Sequence, residues 1–164
     1  MRGRGYGMRG RAAVAVFLCA LALAGAATGG CRRIKNIYSR EQEIQMGREF
    51  ANEFAQDSRS PAVISSGAQH QRLQRVAARI LPLARADWDV PFRVQLLDDA
   101  SVNAFAVPGG PIYFHRGLME LADSDDEVAA VLGHEASHIV KRHSAQQMSD
   151  LTVKAGIVGI LLAR

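Results

Sequence analysis

Gly133-His134-Glu135-Ala136-Ser137-His138 places two imidazoles four residues apart, with a carboxylate between them. On an α-helix, residues four apart differ by about 40° in azimuth and about 6 Å in rise. His134 and His138 would then project from one face, close enough for both rings to ligate one zinc ion. Glu135 follows His134 by about 100° and falls beside that face, near the ion but not on it. A carboxylate there can take a proton from a water attacking a carbonyl and deliver it to the leaving amine. Zinc lowers the pKa of a water it activates from 15.7 to about 7, so attack becomes feasible near neutrality. His134 and His138 are the expected metal ligands, and Glu135 the expected general base and then acid. The alternative is two surface histidines on a solvated helix.

The helix that must carry these residues has a start signal. Ser124-Asp125-Asp126-Glu127 offers an N-cap serine, a glutamate three residues later and two further acids suited to the helix dipole. The spacing predicts a helix from about 125 to at least 147. On it His143 lies about 140° from His138 and 180° from His134, so it cannot reach the same ion unless the helix breaks between them. The position ten residues after His134 is Ser144, and Ile139-Val140-Lys141 holds no glycine, which excludes a metzincin arrangement. His143 therefore reads as a structural residue or a neighbour of a ligand. His70 reads as an exposed helix residue and His115 as a strand residue near the site.

Upstream, Ser39 with Gln42 forms a second capping box, and Ile44, Gly47, Phe50, Ala51 and Phe54 recur at helical spacing, predicting a helix near 40–56. Residues 57–67 read as a loop. Leu73, Val76, Ala77 and Ile80 mark a second helix near 68–86, which Pro82 would end or bend early. Strands are expected at 91–97, 103–107 and 112–115, with Pro108-Gly109-Gly110-Pro111 turning the last two into a hairpin. Residues 117–122 read as a short helix or turn.

The 164 residues suit one modest domain, and 48% hydrophobic with 22% charged residues is a globular composition. The net charge of +4 comes from four arginines within residues 1–30; residues 31–164 carry as many acids as bases. No nucleic-acid partner is expected, because the body has no basic excess. The first thirty residues run basic, apolar and then small, which is the order of a secretory signal. They close on Thr28-Gly29-Gly30-Cys31, which resembles the bacterial lipobox with Thr28 where leucine is commonest. Lipidation of Cys31, ordinary secretion and a retained anchor are the three readings of this segment. Arg32 after Cys31 favours, by that resemblance, the periplasmic side of the outer membrane. Residues 31–40 read as a tether, and residues 41–164 as the N-terminal part of a metal-dependent enzyme domain. Cys19 lies within the apolar signal, so the mature chain has no disulfide.

Taken together, the sequence resembles the HtpX-like and CAAX-prenyl-protease-like zinc endopeptidases, metallopeptidase family forty-eight. The resemblance runs from Glu43-Ile44-Gln45-Met46-Gly47 through Ser101-Val102-Asn103-Ala104-Phe105-Ala106-Val107-Pro108-Gly109-Gly110 and Arg116-Gly117-Leu118 to the His134–His138 motif and Arg142-His143. It implies an α+β, zincin-like fold, mainly helical, with a small antiparallel sheet beside the active-site helix. It implies zinc as cofactor and an edge strand on which an extended substrate pairs, at Asn103, Ala104 and Phe105 and near Gly109 and Gly110. Lipoprotein members of this kind act on unfolded or misassembled envelope polypeptides. The family's third zinc ligand is a glutamate several tens of residues after the motif. Here the only acid after His143 is Asp150, so the chain reads as a C-terminally truncated or degenerate member. The rival readings are a chaperone-like lipoprotein that binds peptides without cutting them, and a zinc hydrolase acting on something other than peptides.

Overall fold

The computed structural model describes residues 36–151. The basic head, the apolar run, Cys31 and the apolar end past residue 151 lie outside the described residues.

Helix α1 spans Arg40–Gln56 and starts where its capping box puts it: the Ser39 hydroxyl accepts from the Gln42 N–H at 3.2 Å, and the Gln42 side chain accepts from the Ser39 N–H at 2.7 Å. Helix α2 spans Ala68–Asp87 and continues through Pro82, which is exposed; the expected early stop is not seen. The missing N–H leaves the Ala78 carbonyl without its helical donor, but Ala78 and Pro82 are both exposed, so water can meet that carbonyl and the helix need not end. Helix α3 covers Arg116–Leu121, and α4 covers Asp125–Val140. Ser124 caps α4 through the Glu127 N–H at 3.3 Å, while the Glu127 side chain reaches past the cap to the Asp123 N–H at 2.8 Å.

Strands β1 (Val63–Ile64), β2 (Arg93–Leu97), β3 (Ala104–Ala106) and β4 (Pro111–His115) form one sheet in the order β1-β2-β4-β3. The sheet is mixed, which corrects the antiparallel expectation. The β3–β4 hairpin is antiparallel as expected, but β4 pairs with β2 in parallel, Val94 beside Ile112 and Leu96 beside Phe114. The cause is the connection after Asp98-Asp99. It carries the chain past the place β4 will fill, β3 returns along the far edge, and the tight turn slots β4 beside β2 in the same direction. The strand β1, within what reads as a loop, adds an antiparallel pair at the other edge. Such a central strand is buried on both faces, and β4 is buried along its whole length.

Ile112 and Phe114 of β4 and Val94 and Leu96 of β2 pack against Leu73, Val76 and Ala77 of α2 and Val128, Leu132, Ala136 and Ile139 of α4. Tyr113 points the other way, where Phe50 and Phe54 of α1 lie 5.8 and 5.1 Å from its ring. The sheet is thus a middle layer between α1 and the α2–α4 pair. Among the described residues no helix is long and apolar enough to cross a membrane.

Gly109 sets how closely α1 meets the hairpin turn, and Gly67, before α2, serves as its comparison. Gly109 has φ +81°, and a β-carbon there would strike the backbone carbonyl of Glu43; Gly67 has φ +91° with nothing within 4 Å. Gly109→Ala combines left-handed strain with a backbone clash and is expected to cost on the order of 3 kcal/mol. Gly67→Ala carries the strain alone, about 1 kcal/mol. Urea midpoints of the two variants check this, and equal losses would remove the close approach as a structural requirement.

Candidate metal centre

Helix α4 turns Val128, Leu132, Ala136 and Ile139 into the core, and this stripe fixes where the motif points. Relative to Leu132, His134 and His138 fall near 200° and 240°, on the outer face, and Glu135 near 300°, on the flank. The Nε2 atoms of His134 and His138 lie 3.1 Å apart. Two nitrogens bound to one zinc at 2.0–2.1 Å in tetrahedral geometry sit roughly 3.3 Å apart, so this donor pair fits such an ion as found. The sequence-predicted ligands are therefore together. Among the described residues, no third His, Cys, Asp or Glu joins them; Asp150, farther along and half-buried with one carboxyl oxygen enclosed, is not part of the group.

Glu135 sits beside the edge strand, close enough to the Ala106 N–H of β3 for that dipole to favour its charged form. In the hairpin the odd positions face β4: Phe105 pairs with Tyr113, Val107 N–H donates to the Pro111 carbonyl at 2.8 Å, and His115 N–H to the Asn103 carbonyl at 3.0 Å. The backbone groups of Ala104 and Ala106 consequently point to the open edge. Of the other positions expected to meet substrate, Phe105 turns its ring to Tyr113, 5.0 Å away, and to Phe50. Gly109 and Gly110 are buried, and the backbone that approaches them is the protein's own, from Glu43, Ile44 and Pro91.

Burial pushes the Glu135 carboxyl above the ordinary carboxylate range, against the opposing pull of His134 and the Ala106 N–H. Burial, reinforced by His134, His143 and Lys141, holds His138 below the ordinary imidazole range, so a neutral nitrogen is available at pH 7. The raised Glu135 value has a stability consequence. A carboxyl whose folded pKa exceeds its unfolded one supports the fold below the unfolded value, about 4.3, and loses that support as pH rises through the folded value. Without metal, Glu135→Gln is expected to melt higher than wild type at pH 7, with the gap closing below about pH 4. Thermal melts across pH check the sign, and a gap that widened toward acid would contradict it.

The break after Val140 corrects the expected helix to 147. Lys141 and Arg142 form a turn, Arg142 is left-handed at φ +57°, and residues 143–151 start a new helix, here α5. Through this break His143 comes to His138, with the two Nδ1 atoms 3.2 Å apart. His143 is thus on the opposite side of the His138 ring from His134, brought there by the break rather than by the helical spacing. His115 is a buried strand residue whose Nδ1 meets the Ser101 hydroxyl at 2.7 Å and Asp99 at 3.6 Å. Both approach one nitrogen, so these three residues are not a nucleophilic relay. Two partners escaped the sequence reading: the Ala106 N–H, which only strand alternation next to a known site could have suggested, and Glu43, which holds Arg142.

The sequence profile of Peptidase family M48 matches residues 67–163. The chain is 30% identical over 128 residues to the beta-barrel assembly-enhancing protease of Escherichia coli, covering 74% of this chain and 26% of that protein. It is 32% identical over 91 residues to the mitochondrial metalloendopeptidase OMA1 of Schizosaccharomyces pombe, covering 56% of this chain and 27% of that protein. The OMA1 protein of Arabidopsis thaliana is 42% identical over 57 residues, 35% of this chain and 12% of its own length. The chain spans about a quarter of the length of the first two relatives.

Proposed function

The chain belongs to peptidase family M48, and from that membership we propose that His134, Glu135 and His138 form the centre of a zinc-dependent endopeptidase with a zincin-like layout. The observation that carries this reading is the converging Nε2 pair, with Glu135 beside it on the flank of the same helix. His134 and His138 would hold the zinc ion, which when bound would supply Lewis acidity toward a carbonyl and a water. Glu135 takes the proton of the attacking water and hands it to the leaving nitrogen; its raised pKa suits both halves of that transfer. The Ala106 N–H lies beside that carboxylate at the strand edge, where the open groups of Ala104 pair with an extended peptide backbone.

Backbone pairing makes little demand on side chains, which suits unfolded or misassembled polypeptides as substrates. A relative named for assisting β-barrel assembly supports an envelope setting. The lipobox-like Thr28–Cys31 supports a lipid-anchored protein on the periplasmic side of the outer membrane. Zinc-loaded protein is tested on an unstructured polypeptide and on small amides and esters, with and without a chelator. Chelator-sensitive cleavage of the polypeptide alone is the expected result. A second reading, a peptide-binding lipoprotein without hydrolysis, is favoured by the absence of a third ligand among the described residues. Polypeptide binding with no cleavage, unchanged in Glu135→Gln, would establish it.

A further inference from the structure

An arginine in the left-handed region pays a backbone penalty that glycine would avoid, so something must hold it there. Arg142 is held from three sides. Its Nε and Nη2 lie 2.7 and 2.5 Å from Oε1 of Glu43, a carboxylate 1% exposed. The same Nη2 donates to the Tyr38 carbonyl, and the guanidinium lies over the Trp88 ring, 4.7 Å from its centre. Asn36 adds a hydrogen bond to Glu43 at 3.1 Å. Residues from the start of the described chain, from α1 and from the end of α2 thus converge on one residue four beyond His138.

That residue decides where His143 goes. On an unbroken helix His143 would stand about 140° from His138. With Arg142 left-handed, its own N–H bonds three residues back to the Ile139 carbonyl at 2.9 Å, α4 closes there, and the His143 and His138 rings come to 5.0 Å. The contact is specific in its nitrogens. His138 turns Nε2 to His134 and Nδ1 to His143. If Nε2 is to offer its lone pair, Nδ1 must carry the proton, and the nitrogen it faces must accept it.

We infer that the Glu43–Arg142 pair is a clamp that breaks the helix so that His143 accepts the Nδ1–H of His138, fixing His138 in the tautomer and orientation that turn Nε2 toward His134. This rests on the proposed zinc centre for its purpose, though the tautomer itself is a property of the metal-free protein. His143 and Arg142 are positioning residues: neither touches substrate or ion.

The test uses the full chain and two readouts. Nitrogen-15 spectra of the histidine rings in metal-free protein at neutral pH report the tautomer of His138. Competition with a chelator reports zinc affinity. His138 is expected as Nδ1–H in wild type. His143→Ala is expected to shift His138 toward Nε2–H and to weaken zinc binding about 10–100-fold. His143→Asn puts a carbonyl oxygen where the imidazole Nδ1 stood, so it should restore the Nδ1–H tautomer and bring affinity to within about threefold of wild type. Glu43→Gln loosens the clamp and should resemble His143→Ala; if it fails to fold, the His143 pair still decides. Nε2–H on His138 in wild type, or an asparagine variant no better than alanine, would overturn the inference. A wild-type chain that takes no zinc would instead sink the proposed function, while the spectra would still decide the tautomer.

Discussion

Glu135→Gln is expected to slow cleavage of an unstructured polypeptide by about 10²–10⁴-fold while leaving zinc bound. The substitution keeps the length of the side chain and an oxygen to accept the Ala106 N–H, so the flank of α4 beside β3 stays as it is. What it removes is the ability to take a proton. General base and acid action contributes typically 10²–10⁴-fold, so turnover should fall by about that factor, equivalent to roughly 3–5.5 kcal/mol of barrier. Because the two imidazoles are untouched, zinc affinity should change little. Parallel measurements of cleavage rate and zinc content separate the two. A variant that cut as fast as wild type would show that Glu135 carries no proton, and one that lost its zinc would make it a ligand.

The second large effect belongs to the ligands. His138→Ala removes one of two nitrogens that lie 3.1 Å apart on a single helix face. Losing a direct ligand is expected to cost more than the ~100-fold that follows from losing a ligand's hydrogen-bond partner. His134→Ala should do the same, and the double variant little more, since either loss leaves a single imidazole. The fold should survive both changes, because neither side chain belongs to the core stripe of α4. Titration with zinc, alongside circular dichroism to confirm the helices, reads this directly. Retention of zinc by the double variant would place the metal elsewhere.

The local parts of this structure were legible in the sequence because their causes are local. A capping box starts α1 at Arg40, and a serine cap with acids in the first turn starts α4 at Asp125. Two histidines four apart need only one helix to converge, so the core of the site could be read without any tertiary knowledge. The rest depends on partners far along the chain. The parallel pairing of β2 with β4 follows from the path taken between them, which no alternation of residues encodes. The break at Arg142 has no glycine or proline to announce it; its cause is Glu43, 99 residues earlier. The Ala106 N–H on Glu135 likewise joins two elements that only packing brings together.

In the proposed centre, His134 and His138 hold the same ion. X-ray absorption at the zinc edge on the loaded chain counts imidazole ligands and their distances. Two imidazole nitrogens at 2.0–2.1 Å, both lost in His134→Ala/His138→Ala, are predicted. Zinc surrounded by oxygen alone, or an imidazole signal that survives the double substitution, would contradict it.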